Sequence, residues 1–205
     1  MNPAEAEVVT MVNQEQGTPY RAPDLLRDVL LIDMLELTGS TAAAARVLSL
    51  SQPTVSRRYR ALAQDLGLER RPRQRPGRRF GESSCLRLLR KGLSLHRWQA
   101  GVLRVGGRPE HQQQMADYPW LHWVGLEGLL LQAAPELIRN DLLDGLIISE
   151  AELSVLGSPY TGGLRIGPEL LLICRRHPRI QGLLAELQDW PWNRCITPQA
   201  SRAAS

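Results

Sequence analysis

The stretch that most constrains this chain is residues 39–66, GSTAAAARVLSLSQPTVSRRYRALAQDL. Ser40 suits the N-cap of a short helix, with Ala43, Ala44, Val47 and Leu48 expected to face inward. Small residues at Ala43 and Ala44 allow a neighbouring helix to approach closely. Ser49 and Leu50 form a turn. Ser51 then caps a second helix, and Pro53 falls in its first turn, where a missing N–H costs little. Val55, Tyr59, Leu62 and Leu66 recur at helical spacing and form one buried stripe. The other face carries Gln52, Thr54, Ser56, Arg57, Arg58 and Arg60. A short helix, a sharp turn and a polar, arginine-bearing second helix predict a helix-turn-helix whose second helix enters a major groove.

The charge is modest in total, a formal +4, but unevenly placed. Arginines crowd residues 57–108, opposed there by Asp65, Glu69 and Glu82, whereas the C-terminal half is close to balanced. This asymmetry predicts a nucleic-acid footprint on one domain. The cations are nearly all arginine, which favours two-pronged contacts to phosphate or guanine.

Residues 39–40, 43–45, Leu48, the run Ser51-Gln52-Pro53-Thr54-Val55-Ser56-Arg57 and Leu62 resemble the N-terminal winged helix-turn-helix of LysR-type transcriptional regulators. The likeness is good from Leu25 to Gly67 and weakens at Arg70, Arg71 and Pro72, where that family has a hydrophobic strand start. It implies a winged helix-turn-helix, a linker helix that pairs with its twin, and an effector-binding region like that of periplasmic binding proteins.

The predicted organisation is a disordered leader over 1–21, a winged helix-turn-helix over 22–81, a linker and dimerisation helix over 82–100, a truncated α/β effector-like domain over 101–197 and a frayed tail over 198–205. The first helix should start at Pro23-Asp24 and end at Gly39. Its apolar positions are too many for a narrow stripe, so burial by the neighbouring helices on one side and by a partner on the other is expected. Pro72, Pro76 and Gly77 exclude a helix from 70–80 and suggest a hairpin tip or loop. Leu86, Leu89 and Leu93 repeat like a heptad seam and are expected to dimerise two copies.

From Val102 strands alternate with helices, which predicts an α/β unit with a mainly parallel sheet. Leu103-Arg104-Val105-Gly106, the Asp144-Gly145-Leu146-Ile147-Ile148 strand entry and Leu170 to Cys174 with His177-Pro178 resemble the first half of the LysR effector region. The sequence ends about where the second half should begin, after Trp192, so normal effector sensing is not expected.

Cys85, Cys174 and Cys195 are odd in number and widely spaced, which suggests a reducing compartment without a disulfide framework. Cys174-x-x-His177 has no second ligand pair, and no metal is expected. There is no Walker loop, no Gly-x-Gly-x-x-Gly and no Gly-x-Ser-x-Gly, so neither a cofactor nor an enzyme activity is predicted. Glu150 and Glu152 read as surface charges, and Trp120 and Trp123 as core and cover of one strand. No charged-then-apolar leader opens the sequence and no apolar run reaches roughly eighteen residues, so neither a signal peptide nor a membrane span is expected.

The function that follows is a cytoplasmic, sequence-specific regulator that binds double-stranded DNA as a homodimer or higher oligomer. Gln52, Pro53, Thr54 and Arg57 are the expected base readers, since glutamine suits adenine, arginine suits guanine and a methyl suits thymine. Ser40, Thr41, Ser51, Ser56, Arg58, Arg73, Arg75 and Arg78 are the expected backbone ligands. The alternatives are a small-molecule sensor using the α/β half, or a subunit that pairs with full-length relatives.

Overall fold

The computed structural model describes residues 20–115, 120–152, 163–166 and 169–187. The expectations for the leader before residue 20, for the sequence around Trp192, for Cys195 and for the tail lie outside these residues.

Pro23 and a single 3-10 turn over Asp24–Leu26 lead into α1, Arg27–Thr38. Gly39 closes it at φ 71°, its N–H donating to Leu35 O. A left-handed φ is the conformation glycine adopts without a Cβ penalty. Helix α2, Thr41–Val47, is capped by Ser40 Oγ, which accepts from the Ala43 N–H at 3.1 Å. Its inward residues are Ala44 and Ala45, with Ala43, Val47 and Leu48 half-buried, so the buried face is turned slightly from the expected one. Ser49 makes the turn at φ 52°. Helix α3, Gln52–Leu66, is capped by Ser51 Oγ on the Thr54 N–H and ends at Gly67. Val55 is fully buried, and Tyr59, Leu62 and Leu66 pack against the same core.

Helix α4, Ser84–Gln99, begins at Ser83, whose Oγ accepts from the Leu86 N–H at 3.1 Å. The α/β unit follows with β1, Leu103–Gly107, a short crossover through α5, Gln112–Met115, and β2, Leu121–Gly125. Two short helices follow, α6 Gly128–Gln132 and α7 Ala134–Arg139, with Pro135 in the first turn of the second. Strands β3 Gly145–Ser149, β4 Gly163–Arg165 and β5 Leu170–Cys174 and helix α8 Pro178–Leu187 complete the described residues.

The sheet order is β2-β1-β3-β5-β4. β1 pairs parallel with β2 and β3, whereas β5 runs antiparallel to β3 and β4. The sheet is therefore mixed rather than mainly parallel. No described helix crosses over between β4 and β5; they meet as an antiparallel pair, which needs none. Gly145 is required where β3 meets β5, since a Cβ there would lie 2.5 Å from Ile173 O.

Strand alternation sends successive side chains to opposite faces. Val105, Trp123, Ile147, Leu172 and Cys174 join Trp98, Met115, Trp120 and Ile180 on one side. Val124, Leu146, Ile148 and Ile173 join the opposite cluster, which also holds Val29, Leu31, Ile32, Met34, Leu35 and Leu37 of α1. The core of the helical head and one face of the sheet are thus continuous. Every residue from Leu31 to Thr38 is buried. The second side of α1, expected to need a partner, is covered by this chain's own α4, basic loop and sheet.

Arg104 shares a face with Gly106 and points toward α1. It joins a buried ionic chain with Asp33 on α1, Arg90 and Arg97 on α4, and Asp144 ahead of β3. Arg90 Nε donates to Asp33 Oδ1 at 2.7 Å, and Arg104 Nη1 to Asp33 Oδ2 at 3.0 Å. Arg97 Nη2 and the Arg104 N–H both reach Asp144 Oδ2 at 2.7 Å.

Candidate nucleic-acid interface

The N-terminal end of α3 is the exposed part of the helix-turn-helix. Gln52, Pro53 and Arg57 are exposed there, with Thr54 and Ser56 half-buried beside them. Two contacts organise this end. Ser51 Oγ and Thr54 Oγ1 share a 2.8 Å hydrogen bond. Gln52 Nε2 donates to Thr41 Oγ1 at 3.2 Å, so the first residues of α2 and α3 meet at one edge. Unpaired N–H groups at a helix start favour anions, and three hydroxyls there can donate to phosphate. Ser40 lies at the start of α2 and is exposed, as is Ser51.

The cations divide into free-standing and engaged groups. Arg73 and Arg75 are exposed on the loop. Arg58 is half-buried and ion-paired with Asp28 of α1, its Nε donating at 2.6 Å. It braces α3 on α1, and a phosphate would have to compete with Asp28 for it. Arg78 stands between Glu82 at 3.6 Å and Glu136 of α7 at 3.1 Å, so it ties the loop to the α/β unit. Arg60 donates to Ser56 Oγ at 3.3 Å on the outer face of α3. Arg46, exposed in the last turn of α2, is a further cation beside this surface that the sequence reading passed over.

The basic loop after α3 contains no strand, in keeping with its prolines. It is nonetheless closely held. The Arg71 N–H donates to Arg79 O at 2.7 Å and closes the loop. Phe80 anchors one end: Tyr59 meets its ring edge-on at 5.5 Å, Tyr59 Oη donates to Phe80 O at 3.1 Å, and the Arg70 guanidinium lies 5.3 Å from the Phe80 ring centre. Pro76 and Gly77 are buried, and a Cβ on Gly77 would meet Asn140 and Leu142. Beneath the loop sits Glu36. Its Oε2 accepts from the Gly77 and Arg79 N–H groups at 2.9 and 3.0 Å, and its Oε1 from the Phe80 N–H at 2.8 Å. Burial pushes the Glu36 carboxyl above its ordinary range, against the pull of the Phe80 N–H and the Arg90 guanidinium. The sequence signal for Glu36 was a carboxylate inside the apolar run of α1, which needs a buried partner. No local pattern identified the partner, because it is backbone more than forty positions away.

Leu86 and Leu93 of the expected dimer seam are buried in this chain's own core, and Leu89 is half-buried against it. The heptad repeat is real, but its inward positions are filled by α1 and the α/β unit. What α4 offers outward is Leu88, 71% exposed.

Elsewhere the candidate chemical groups take structural roles. Glu150 is paired with Arg165, and Glu152 accepts from the Ser149 N–H and from Arg108. Trp120 and Trp123 are buried. Cys174 is buried, which pushes its thiol up, and His177 packs on Trp98 with ring centres 4.5 Å apart. Among the described residues, no group of three His, Cys, Asp or Glu side chains could hold a metal, and no helix is long and apolar enough to cross a membrane.

A capped short helix, a one-residue left-handed turn and an arginine-bearing helix with an exposed N-terminus define a helix-turn-helix DNA-binding protein. Residues 26–73 match the family described as bacterial regulatory helix-turn-helix protein, lysR family. No curated protein matches the chain. Among solved structures it is similar to an OxyR variant from Corynebacterium glutamicum, with 19% identity and a TM-score of 0.34 over 73% of this chain and 52% of that one. A full-length OxyR variant from Pseudomonas aeruginosa gives 18% identity and a TM-score of 0.35 over 60% and 50%. CbnR complexed with its target DNA gives 18% identity and a TM-score of 0.27 over 60% and 48%. The chain spans about half the length of the solved structures it matches.

Proposed function

We propose that this protein is a cytoplasmic regulator that binds double-stranded DNA sequence-specifically as a dimer, without normal effector sensing and without enzymatic activity. The observation that carries this reading is the exposed start of α3, where Gln52, Pro53 and Arg57 face outward beside Thr41 and Ser51 and Gln52 donates to Thr41. In a major groove Gln52 and Arg57 have the donors and acceptors to read adenine and guanine, Thr54 offers a methyl to thymine, and Pro53 adds apolar contact. Ser40, Thr41, Ser51 and Ser56 position the helix on phosphate, with Arg73 and Arg75 extending the contact along the backbone. Arg58 and Arg78 join the contact only by leaving the carboxylates that hold them.

Support for the absence of effector sensing comes from the sheet. One of its faces is filled by α1 and α7. A dimer would use the outer face of α4 around Leu88, with Leu89 at its margin. The test is a genome-wide binding footprint followed by competition between a recovered site and its scrambled version at physiological salt. Preference for the recovered site by a hundredfold or more is expected; equal binding would overturn sequence-specific regulation.

A further inference from the structure

The basic loop has six arginines within ten residues, two prolines and no strand, yet its backbone is bonded at several points. Like charges so close would drive it apart, and its prolines deny it a ladder of backbone bonds. Two surfaces hold it instead. From below, the Glu36 carboxylate gathers the Gly77, Arg79 and Phe80 N–H groups at 2.8–3.0 Å. Converging backbone N–H groups make an anion site, and here a side chain of the protein itself occupies it. From the other side, Gly77 packs on Asn140 and Leu142 so closely that a Cβ would lie 3.2 Å from Asn140 Nδ2.

We propose that Glu36 is the positioning residue of the DNA interface: its carboxylate fixes the basic loop between α1 and the α/β unit so that Arg73 and Arg75 stand ready for phosphate. This deepens the DNA-binding reading and rests on it. Glu36 touches no nucleic acid itself. It spares the loop an ordering step on binding, which is how preorganisation raises affinity. Because Gly77 lies against residues that follow α7, the α/β unit shares control of the loop. It thereby acts on a DNA contact without supplying one.

The experiment compares the full chain with Glu36→Gln and Gly77→Ala. Glu36→Gln keeps size but exchanges one acceptor oxygen for a donor amide, so the three N–H groups cannot all be met. Gly77→Ala disturbs the same loop from the opposite side at φ 97°, where an L side chain is strained. Tryptic cleavage after Arg73, Arg78 and Arg79, followed by mass spectrometry, should rise about tenfold in both variants, with cleavage in α3 and α4 unchanged. The slope of log affinity against log salt should fall in magnitude by roughly one to two, with the ratio of site to scrambled DNA held within about threefold. Unchanged loop cleavage in both variants overturns the anchoring. So does a rise spread evenly over the chain, which would mean general unfolding. Faster loop cleavage with an unchanged salt slope overturns the positioning role alone. A wild-type chain with no salt-dependent binding to any DNA overturns the underlying reading and the proposal with it.

Discussion

Arg104, on the first strand of the sheet, donates to Asp33, on the first helix of the DNA-binding head, across 3.0 Å with both side chains all but excluded from water. Seventy-one positions separate them. The same arginine reaches Leu142 O at 3.3 Å, and its backbone N–H reaches Asp144. One strand residue therefore links head, sheet and the segment after α7. A buried pair of this kind adds little net stability over an apolar substitute, but losing one partner strands the other charge.

Arg104→Met should cost about 3 kcal/mol, the lower end of the range for breaking a buried pair, because Arg90 still holds Asp33. Asp33→Asn should cost more, since it leaves both Arg90 and Arg104 without that carboxylate, and the double variant should cost clearly less than the sum, since both changes remove the Arg104–Asp33 pair. Urea midpoints at constant slope measure this. Additive losses would mean that the two residues act independently.

At the interface, Arg57→Ala should cost about 1–3 kcal/mol on a recovered site and relax preference at one base position. Arg73→Ala and Arg75→Ala should instead weaken all sequences alike and each reduce the salt slope by about one. Competition assays on matched and scrambled DNA distinguish the two patterns. Equal loss on both DNAs for Arg57→Ala would remove it from base reading.

On α4 the outward and inward leucines should behave differently. Leu88→Glu should leave a folded chain that no longer self-associates, as read by light scattering. Leu86→Glu should fail to fold, since it sets a carboxylate against a fully buried apolar core. If the Leu88→Glu chain keeps a dimer mass, the assembly surface lies elsewhere.

Acid should weaken the fold through His122. Burial, together with the Arg104 and Arg97 guanidiniums, pushes its imidazole down to about 3. In the unfolded chain it titrates near 6.5, so the unfolded form takes up the proton first. The folded value being the lower, stability from this group is complete above about pH 7 and falls as pH drops toward 3. Between pH 7 and pH 5 the loss is about 2 kcal/mol. A His122→Asn chain should lose that much less over the same interval in urea titrations at the two pH values. An equal loss in both chains would mean that His122 titrates normally in the fold.

Much of the head was legible because its signals are local. Ser40 and Ser51 cap, Gly39 and Gly67 terminate, and Val55 to Leu66 form a stripe, all within one or two helical turns. The strands around Leu103, Leu121, Leu146 and Leu170 were equally readable from short apolar runs. The sheet was harder. Strand direction depends on what each strand meets, and β5 turned out antiparallel to β3. Leu86 and Leu93 show the same limit on a helix: a heptad spacing says that a stripe is buried, not whether the covering surface belongs to the same chain.

The sequence by itself determined the helix-turn-helix, its exposed Gln52, Pro53 and Arg57, and the basic character of the loop, because capping, periodicity and charge act between near neighbours. Only the tertiary structure decided which cations remain free. Arg58 is drawn to Asp28, Arg78 to Glu82 and Glu136, and Arg90, Arg97 and Arg104 to Asp33 and Asp144. It also decided that Glu36 holds the loop. A charge buried on folding must find its partner wherever the packed chain brings one, and that distance is spatial, not sequential.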